Sequence, residues 1–247
     1  MIPMSPRIKV MTYNIHFTIG SDDRPDWKRT ADLIRAENPD VVGLEEVTIR
    51  HHRSPEVDTV KEFRNYLHWN VLFGKAIDIC DGKGEYGLAV ASKHPMKEVA
   101  KIYLPTPDGI EERIFFVVKV SAPTPFYCIV THFSWTGEYE NGDRGRLDSI
   151  RLITENVRNN RWFPAFLTGD LNTFTGTPAL RFLHDEWDVA NDAEPDTPTA
   201  VISGNRPKQI DFIASYPKNA FALRKFTIHP DRLVSDHNPV TAVFEPK

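Results

Sequence analysis

Short apolar segments recur along the chain, and most have the length and the β-branched or aromatic content of strands. The predicted strands are Ile8–Tyr13, Val41–Leu44, Asn70–Phe73, Leu88–Ala91, Phe115–Val120, Tyr127–Val130, Ala165–Leu167, Ile210–Ala214, Leu223–Ile228 and Val240–Phe244. Many of them follow one another without a helical pattern between them. This order favours antiparallel pairing, because parallel neighbours need a long crossover connection.

Four other segments have the spacing of amphipathic helices. Three of them have an expected start, which is Asp26, Ser54–Pro55 and Thr177–Pro178 in turn. The inward faces of these three are Trp27, Ala31 and Ile34; Val60, Phe63 and Leu67; and Leu180, Leu183 and Trp187. The remaining helix is marked by Leu147, Ile150, Thr154 and Val157. The strands and helices together predict an α+β fold. Its two packed, mostly antiparallel sheets would be flanked by helices.

The chain has 247 residues, of which 40% are hydrophobic and 26% charged, as is usual for a globular protein. No repeat and no Pro/Gly/Ser-rich linker divides it, so a single domain over residues 1–247 is expected. We find no apolar run that could cross a membrane and no apolar core of a signal peptide. The interpretation is a soluble protein, favoured as a monomer, either cytoplasmic or exported after removal of a leader.

The net charge makes binding of long nucleic acids less favoured, and the cysteine content rules out a disulfide framework. The formal net charge is -4 and the pI about 6.1, whereas proteins that bind long nucleic acids usually carry a basic excess. Nucleic acid is therefore not the favoured partner. Two cysteines, Cys80 and Cys128, cannot form a disulfide framework, and buried thiols or one optional bridge are expected.

Polar residues cluster where the apolar strands end, and a rigid element can hold such side chains at the edge of the core. They are Asn14, Glu45–Glu46, His132, Gly169–Asn172, Asp211 and Ser235–Pro239. Any one of them alone would be an ordinary turn residue. The set as a whole is harder to explain by turns and indicates a site.

Two features of this set have chemical consequences. Asp211 interrupts an apolar strand, and a buried carboxylate needs a partner, for which histidine is the natural candidate. Glu45 and Glu46 are consecutive in a strand, so their side chains point to opposite faces and one of them can enter a cleft. Oxygen ligands without cysteine favour Mg²⁺ or Mn²⁺ over zinc.

Six short motifs occur in a recognisable order: Thr12–Asn14, Leu44–Val47, Thr131–His132, Gly169–Asn172, Ile210–Ile213 and Ser235–His237. In this order they resemble the endonuclease/exonuclease/phosphatase superfamily, whose prototype is deoxyribonuclease I. The opening stretch from Tyr13 to Glu46 is most similar to the bacterial hydrolases of that superfamily. The resemblance extends from Lys9 to Phe244 and implies a four-layer α/β sandwich.

The resemblance also implies a metal centre. Glu46 would be the principal ligand of Mg²⁺ or Mn²⁺, with Asn14 and Asp236 close to the cation. Asn14 would also lie near the substrate. The chain departs from the family at Glu45, where glutamine is usual, and this places an additional charge near the site unless its side chain points away.

The same resemblance implies the catalytic residues. Asp170 and Asn172 would orient or activate the attacking water and hold the phosphate. His132 and His237 would contact the phosphate and stabilise its developing charge, and Asp211 would pair with His237. Asp170 is the preferred general base, and His132 is the alternative.

Three further residues are candidate substrate contacts. Glu85 falls where some nucleases of the family place a carboxylate beside the first histidine, although it could equally be a turn residue. Trp135 could stack on a base or sugar, or cover the core. Arg144, with Arg146 and Arg151, could bind an anion, although a solvated helix face is the more common explanation.

The function predicted from these residues is metal-dependent hydrolysis of a phosphate mono- or diester by in-line attack of an activated water. A small molecule or a lipid head group is the favoured substrate. The first alternative is a DNA or RNA endonuclease or exonuclease of the same superfamily. The second is a catalytically idle scaffold with the same fold.

Overall fold

The structure is a computed structural model that describes residues 7–106, 110–135, 144–201, 208–230 and 233–247. The strands are β1 (Ile8–Asn14), β2 (Val41–His51), β3 (Ser54–Asp58), β4 (Asn70–Ile79), β5 (Gly84–Ser92), β6 (Met96–Tyr103), β7 (Ile114–Val120), β8 (Phe126–His132), β9 (Ala165–Asp170), β10 (Asp188–Val189), β11 (Asp211–Tyr216), β12 (Phe221–Ile228) and β13 (Val240–Pro246). The helices are α1 (Trp27–Glu37), α2 (Thr59–Leu67), α3 (Arg144–Asn159) and α4 (Pro178–Glu186). The N-terminal segment, where no signal peptide is expected, lies outside the described residues up to position 6.

The strands form two sheets. The first has the order β12-β13-β1-β2-β5-β4, with β3 added beside β2, and the second has the order β10-β11-β9-β8-β7-β6. Among the described strand pairs, β1 with β2 and β8 with β9 are parallel and the rest are antiparallel. Both parallel pairs are connected through a helix, α1 in the first case and α3 in the second, as parallel neighbours require.

Three apolar clusters give the molecule four layers. One lies between the sheets and includes Val10, Val90, Phe116 and Phe166. Helices α3 and α4 cover the outer face of the second sheet, and α1 and α2 cover that of the first. The prediction of a four-layer α+β sandwich is therefore confirmed.

Most predicted elements are found, with three differences. Ser54–Pro55 does not begin a helix but lies in β3, and α2 begins at Thr59 after Asp58, whose side chain caps it. Asp211 is the first residue of β11 rather than an interior one. Strands β6 and β10 were missed because β6 is partly polar and β10 has two residues.

The two sheets approach each other closely beside β2 and β9. A Cβ atom added at Gly43 would lie 2.0 Å from Thr168 Oγ1 across the gap between the sheets. Gly43 is three residues before Glu46, and Thr168 is two residues before Asp170. A side chain at position 43 would therefore force the sheets apart next to the polar strand ends.

Two further observations concern the class of protein. Helices in the described ranges are all too short or too polar to cross a membrane. Cys80 and Cys128 are free thiols, so the optional bridge is not formed. Burial raises the pKa of Cys128 to about 12, and this thiol therefore remains protonated at neutral pH.

Candidate active site

Three neighbouring strands of the second sheet bring His132, Asp170 and Asp211 together. In the register of β8 with β9, His132 lies beside Asp170, and in that of β11 with β9, Asp211 lies beside the same residue. The close approach requires Gly169, since a Cβ atom there would lie 2.3 Å from the Thr131 carbonyl oxygen. Residues that are far apart in sequence thus become adjacent through strand pairing alone.

His237, which precedes β13, is paired with Asp211. Its Nδ1 lies 2.9 Å from Asp211 Oδ2 and 3.1 Å from Oδ1, so the ring N–H donates a hydrogen bond to the carboxylate. Burial alone would lower the pKa of His237, but the charges of Asp211 and Asp170 and the hydrogen bond raise it well above its usual value. The ring is therefore a buried imidazolium with Nε2–H available for a second acceptor.

The Nε2–H group is directed towards Asp170 Oδ2. His237 Nε2 lies 3.7 Å from this oxygen, His132 Nε2 lies 3.4 Å from it, and Asn14 Nδ2 donates to it at 3.1 Å. The other oxygen, Oδ1, accepts from the backbone N–H of Asn172 at 2.9 Å. Burial, followed by repulsion from Asp211, raises the pKa of Asp170 to about 7.

The first sheet contributes Asn14 and Glu46. Glu46 lies at a β-bulge between Leu44 and Val47 and has a left-handed φ of 58°, which turns its side chain towards β1. Asn14 Nδ2 donates to Glu46 Oε1 at 3.0 Å as well as to Asp170. One amide group therefore connects carboxylates from both sheets.

Asn172 and Asp236 complete the sequence-predicted set. Asn172, with a left-handed φ of 46°, donates from Nδ2 to the Phe133 carbonyl at 3.0 Å, which fixes its side chain beside Asp170. Asp236 Oδ1 lies 3.8 Å from His16 Nδ1, and its charge contributes to raising the pKa of Glu46, after the larger effect of burial. Both therefore border the cluster.

Glu45 points between the sheets and is fully buried, as alternation along β2 requires. Its Oε1 accepts from Thr12 Oγ1 at 3.1 Å, while its buried Oε2 has no hydrogen-bond partner within the described residues. Burial, and then the charges of Asp211 and Asp170, raise its pKa well above the usual range. The raised pKa favours the protonated, neutral form of this carboxyl.

We expect Glu45→Gln to raise the free energy of unfolding at pH 8 by about 1–2 kcal/mol, because the variant no longer ionises in the unfolded chain. When folding raises the pKa of a carboxyl, the free energy of unfolding of the protein falls as pH rises above the pKa of the unfolded chain, about 4.3. The gain should consequently be smaller at pH 5 than at pH 8. Urea unfolding at pH 5 and at pH 8 in the presence of a chelator measures the gain at each pH, with Glu98→Gln at an exposed position as the control. An equal gain at the two pH values would contradict the neutral acid.

His132 has different neighbours from those expected. Its Nδ1 lies 2.9 Å from Arg113 Nη1 and 3.3 Å from Tyr86 Oη. Glu85 precedes Tyr86 in β5 and so points to the opposite face of the strand. The expected carboxylate beside the first histidine is therefore replaced by an arginine and a tyrosine.

Of the candidate substrate contacts, Asn14 lies in the cluster, whereas Arg144 has no contact with it in the described residues. The side chain of Arg144 is 84% exposed and pairs with Asp148 at 3.7 Å, and Arg151 contacts the same carboxylate at 3.8 Å. These two residues form the solvated helix face that was the alternative explanation. Arg146 is instead buried and donates to the Ser134 carbonyl at 3.0 Å. Trp135 is 63% exposed, so it does not cover the core.

Sequence reasoning assigned no role to three residues of the site. Ser235 Oγ donates to the Asn14 carbonyl at 2.8 Å and accepts from the His237 backbone N–H at 3.1 Å, which ties the last motif to β1. Tyr86 and Arg113 are the other two. The position of Ser235 inside a motif was a usable signal for it, whereas no local pattern indicated that Arg113 approaches His132.

The donor set suits a hard divalent cation. Asn14, Glu46 and Asp236 offer oxygen atoms, the ligands that Mg²⁺ and Mn²⁺ prefer. Burial raises the pKa of the half-buried Glu46 carboxyl, although the hydrogen bond from Asn14 opposes this shift. Asp170, Asp211 and His237 form a second group whose ligand atoms lie within 4.8 Å of one another. In that group the His237–Asp211 hydrogen bond already occupies two of the ligands.

A sequence model of the endonuclease/exonuclease/phosphatase family matches residues 11–237, which include all of these strand-end residues. The chain belongs to this family. The family is one of hydrolases that act on phosphate esters. No curated protein sequence matches the chain.

Solved structures of this family superpose over nearly the whole chain. An endonuclease/exonuclease/phosphatase from Beutenbergia cavernae is 25% identical with a TM-score of 0.79, over 97% of this chain and 72% of that one. The human nocturnin catalytic domain with bound sulfate is 19% identical with a TM-score of 0.72, over 98% and 94%. A Bacteroides thetaiotaomicron mannosyl-6-phosphatase is 18% identical with a TM-score of 0.71, over 96% and 99%. The last two show the shared fold.

Proposed function

We propose that the chain is a Mg²⁺- or Mn²⁺-dependent phosphoesterase that hydrolyses a small-molecule or lipid phosphate ester. The observation that carries this proposal is the convergence on Asp170 Oδ2 of Asn14 and of the Nε2 atoms of His132 and His237. In this arrangement the carboxylate can accept a hydrogen bond from a water molecule, while the two imidazole N–H groups donate to a phosphoryl group. Such positioning and charge stabilisation are what phosphoryl transfer requires.

Asp170 is the proposed general base. Its pKa of about 7 suits proton abstraction near neutral pH. In the proposed step the water oxygen attacks phosphorus and its proton passes to Asp170. The bond to the ester oxygen breaks, and that oxygen leaves as an alkoxide that takes up a proton from solvent to give the alcohol. His237, charged and held by Asp211, donates from Nε2 to the phosphoryl oxygens as negative charge develops on them.

Glu46 would be the principal metal ligand, with Asn14 and Asp236 beside it. A divalent cation bound there would supply positive charge to the phosphoryl oxygens. The Asn14 amide would hold Glu46 in line with Asp170, because it hydrogen-bonds to both. Asn172 would fix the Asp170 carboxylate through its backbone N–H.

Exposed apolar side chains close in sequence to the site residues are compatible with a substrate that has an apolar part. Trp135 follows His132 by three residues, Phe174 follows Asn172 by two, and Leu233 precedes Asp236 by three; all three have exposed side chains. The net charge of -4 and the pairing of Arg144 with Asp148 do not favour a polyanionic strand. One protein with this fold is a mannosyl-6-phosphatase, so a small phosphate ester is compatible with the architecture.

The experiment is a hydrolysis assay with an aryl phosphodiester, an aryl phosphomonoester, a lysophospholipid and plasmid DNA, each with Mg²⁺, Mn²⁺ or a chelator. We expect metal-dependent turnover of a small or lipid ester and no nicking of plasmid at low protein concentration. Glu46→Gln should raise the metal concentration for half-maximal rate by roughly 10-fold or more, as loss of a charged ligand does.

Each other outcome changes the assignment. Plasmid nicking at low protein concentration, weakened by salt, would assign a nuclease instead. No hydrolysis of any substrate, with a folded protein, would assign the idle scaffold. Glu98→Gln, at an exposed position of β6, is the matched control and should leave the metal dependence unchanged.

A further inference from the structure

The two site histidines are held by partners of opposite charge. His237 Nδ1 faces the Asp211 carboxylate, whereas His132 Nδ1 faces the Arg113 guanidinium at 2.9 Å. An arginine N–H can only donate, so His132 Nδ1 must accept and must carry no proton. A neutral imidazole without a proton on Nδ1 has it on Nε2, the nitrogen that faces Asp170.

The surroundings of Arg113 are built for this contact. The residue is buried, and its Nη1 donates both to His132 and, at 2.6 Å, to Tyr86 Oη. Its Nη2 pairs with Glu111 at 3.0 Å, on the side towards solvent. Tyr86 Oη, which accepts from Arg113, lies 3.3 Å from the same His132 nitrogen, so its own proton can be directed there.

We infer that Arg113 is a positioning residue that fixes His132 as the neutral tautomer with its proton on Nε2, and that Tyr86 assists it. This inference rests on the proposed phosphoesterase function. His132 then serves as a hydrogen-bond donor to the phosphoryl group. It cannot be the general base at Nε2, because that nitrogen is already protonated, and Asp170 remains for this role.

The arrangement has a chemical purpose beside a metal centre. A second buried imidazolium next to His237 would repel it and would also repel a divalent cation. The Arg113 charge, with burial, instead keeps the pKa of His132 well below its usual range. The site thus gains a donor to the phosphate without gaining another charge on the ring.

The test combines nitrogen NMR with kinetics. Long-range proton–nitrogen spectra of the imidazole rings, recorded on the chelated protein and with Mg²⁺, report which nitrogen of His132 is protonated. His132→Asn identifies the signals. In the unmodified protein we expect Nε2 protonated and Nδ1 bare. In Arg113→Met we expect a population with Nδ1 protonated, together with a fall in kcat of about 10- to 100-fold and little change in KM.

Three further variants separate positioning from structural support. Arg113→Lys keeps a donor and should retain the tautomer and recover part of kcat. Tyr86→Phe leaves the Arg113 contact and should reduce kcat less than Arg113→Met does. Glu111→Gln, which touches the other side of the guanidinium, should leave the tautomer unchanged. Should Arg113→Met not fold, the spectra of the unmodified protein and of Arg113→Lys still decide the tautomer.

Different results would overturn the inference about Arg113 and the proposed function. A proton on Nδ1 in the unmodified protein overturns the inference, as does a fall in kcat in Arg113→Met without a change of tautomer. If the unmodified protein hydrolyses no phosphate ester, the proposed function fails, while the spectra still decide the tautomer.

Discussion

Asp170→Asn is expected to lower kcat by a factor on the order of 10² or more, with the fold intact. The amide can still accept from the Asn172 backbone N–H, so the loop after β9 should keep its geometry. It cannot take a proton from water, however, and it no longer attracts the Nε2–H groups of His132 and His237 as a charge does. Stopped assays with the best substrate and saturating metal give kcat and KM.

The matched control is Asp81→Asn, in an exposed turn where asparagine tolerates the left-handed φ of 54°. It should leave kcat within error of the unmodified value. A near-normal rate for Asp170→Asn would remove this residue from the role of general base. The pH profile adds a second criterion, because the rise in rate near pH 7 should disappear with the carboxylate.

Asp211→Asn should reduce kcat by roughly 10²- to 10⁴-fold, the range for loss of a carboxylate that orients a catalytic histidine. Without the carboxylate, burial dominates and the His237 ring loses its positive charge at neutral pH. The asparagine amide can also rotate and reverse the ring tautomer. The reduction should therefore appear in kcat more than in KM.

A double variant tests whether the two residues act as one unit. If Asp211 acts through His237, then Asp211→Asn with His237→Ala should be about as slow as His237→Ala alone. Multiplication of the two separate effects would show that Asp211 has an independent role. Circular dichroism and a thermal melt confirm that each variant is folded before the kinetics are compared.

The sequence was informative about the site because strand ends are local features. Asn14, His132 and Asp170 each close an apolar segment, and strand pairing then places such ends at one edge. Asp211 was correctly identified as a carboxylate that needs a partner, although it begins its strand instead of interrupting it. The predicted pairing of Asp211 with His237 is found at 2.9 Å.

What the sequence could not provide depends on contacts between distant segments and on irregular backbone. The bulge that turns Glu46 towards Asn14 has no sequence signature, because its left-handed residue is a glutamate. The resemblance offered Glu85 as a neighbour of His132, with a turn residue as the alternative. In the structure Tyr86 approaches the ring from β5 of the first sheet, and Arg113 approaches it from just before β7, the strand beside β8 in the second sheet. The Ser54–Pro55 pair resembles a helix start, yet it lies in β3, which pairs with β2 at the edge of the sheet.

The narrow gap at Gly43 and Thr168 has a consequence for how the enzyme can vary. Asn14 and Glu46 belong to one sheet, while His132, Asp170 and Asp211 belong to the other, so sheet separation sets the distance from the proposed cation to the base. Reaction rates respond steeply to misplacement of about 1 Å. Bulkier interior residues near this gap would therefore alter turnover without contacting any reacting group. In that sense the packing between the two sheets helps to set the rate of the proposed reaction.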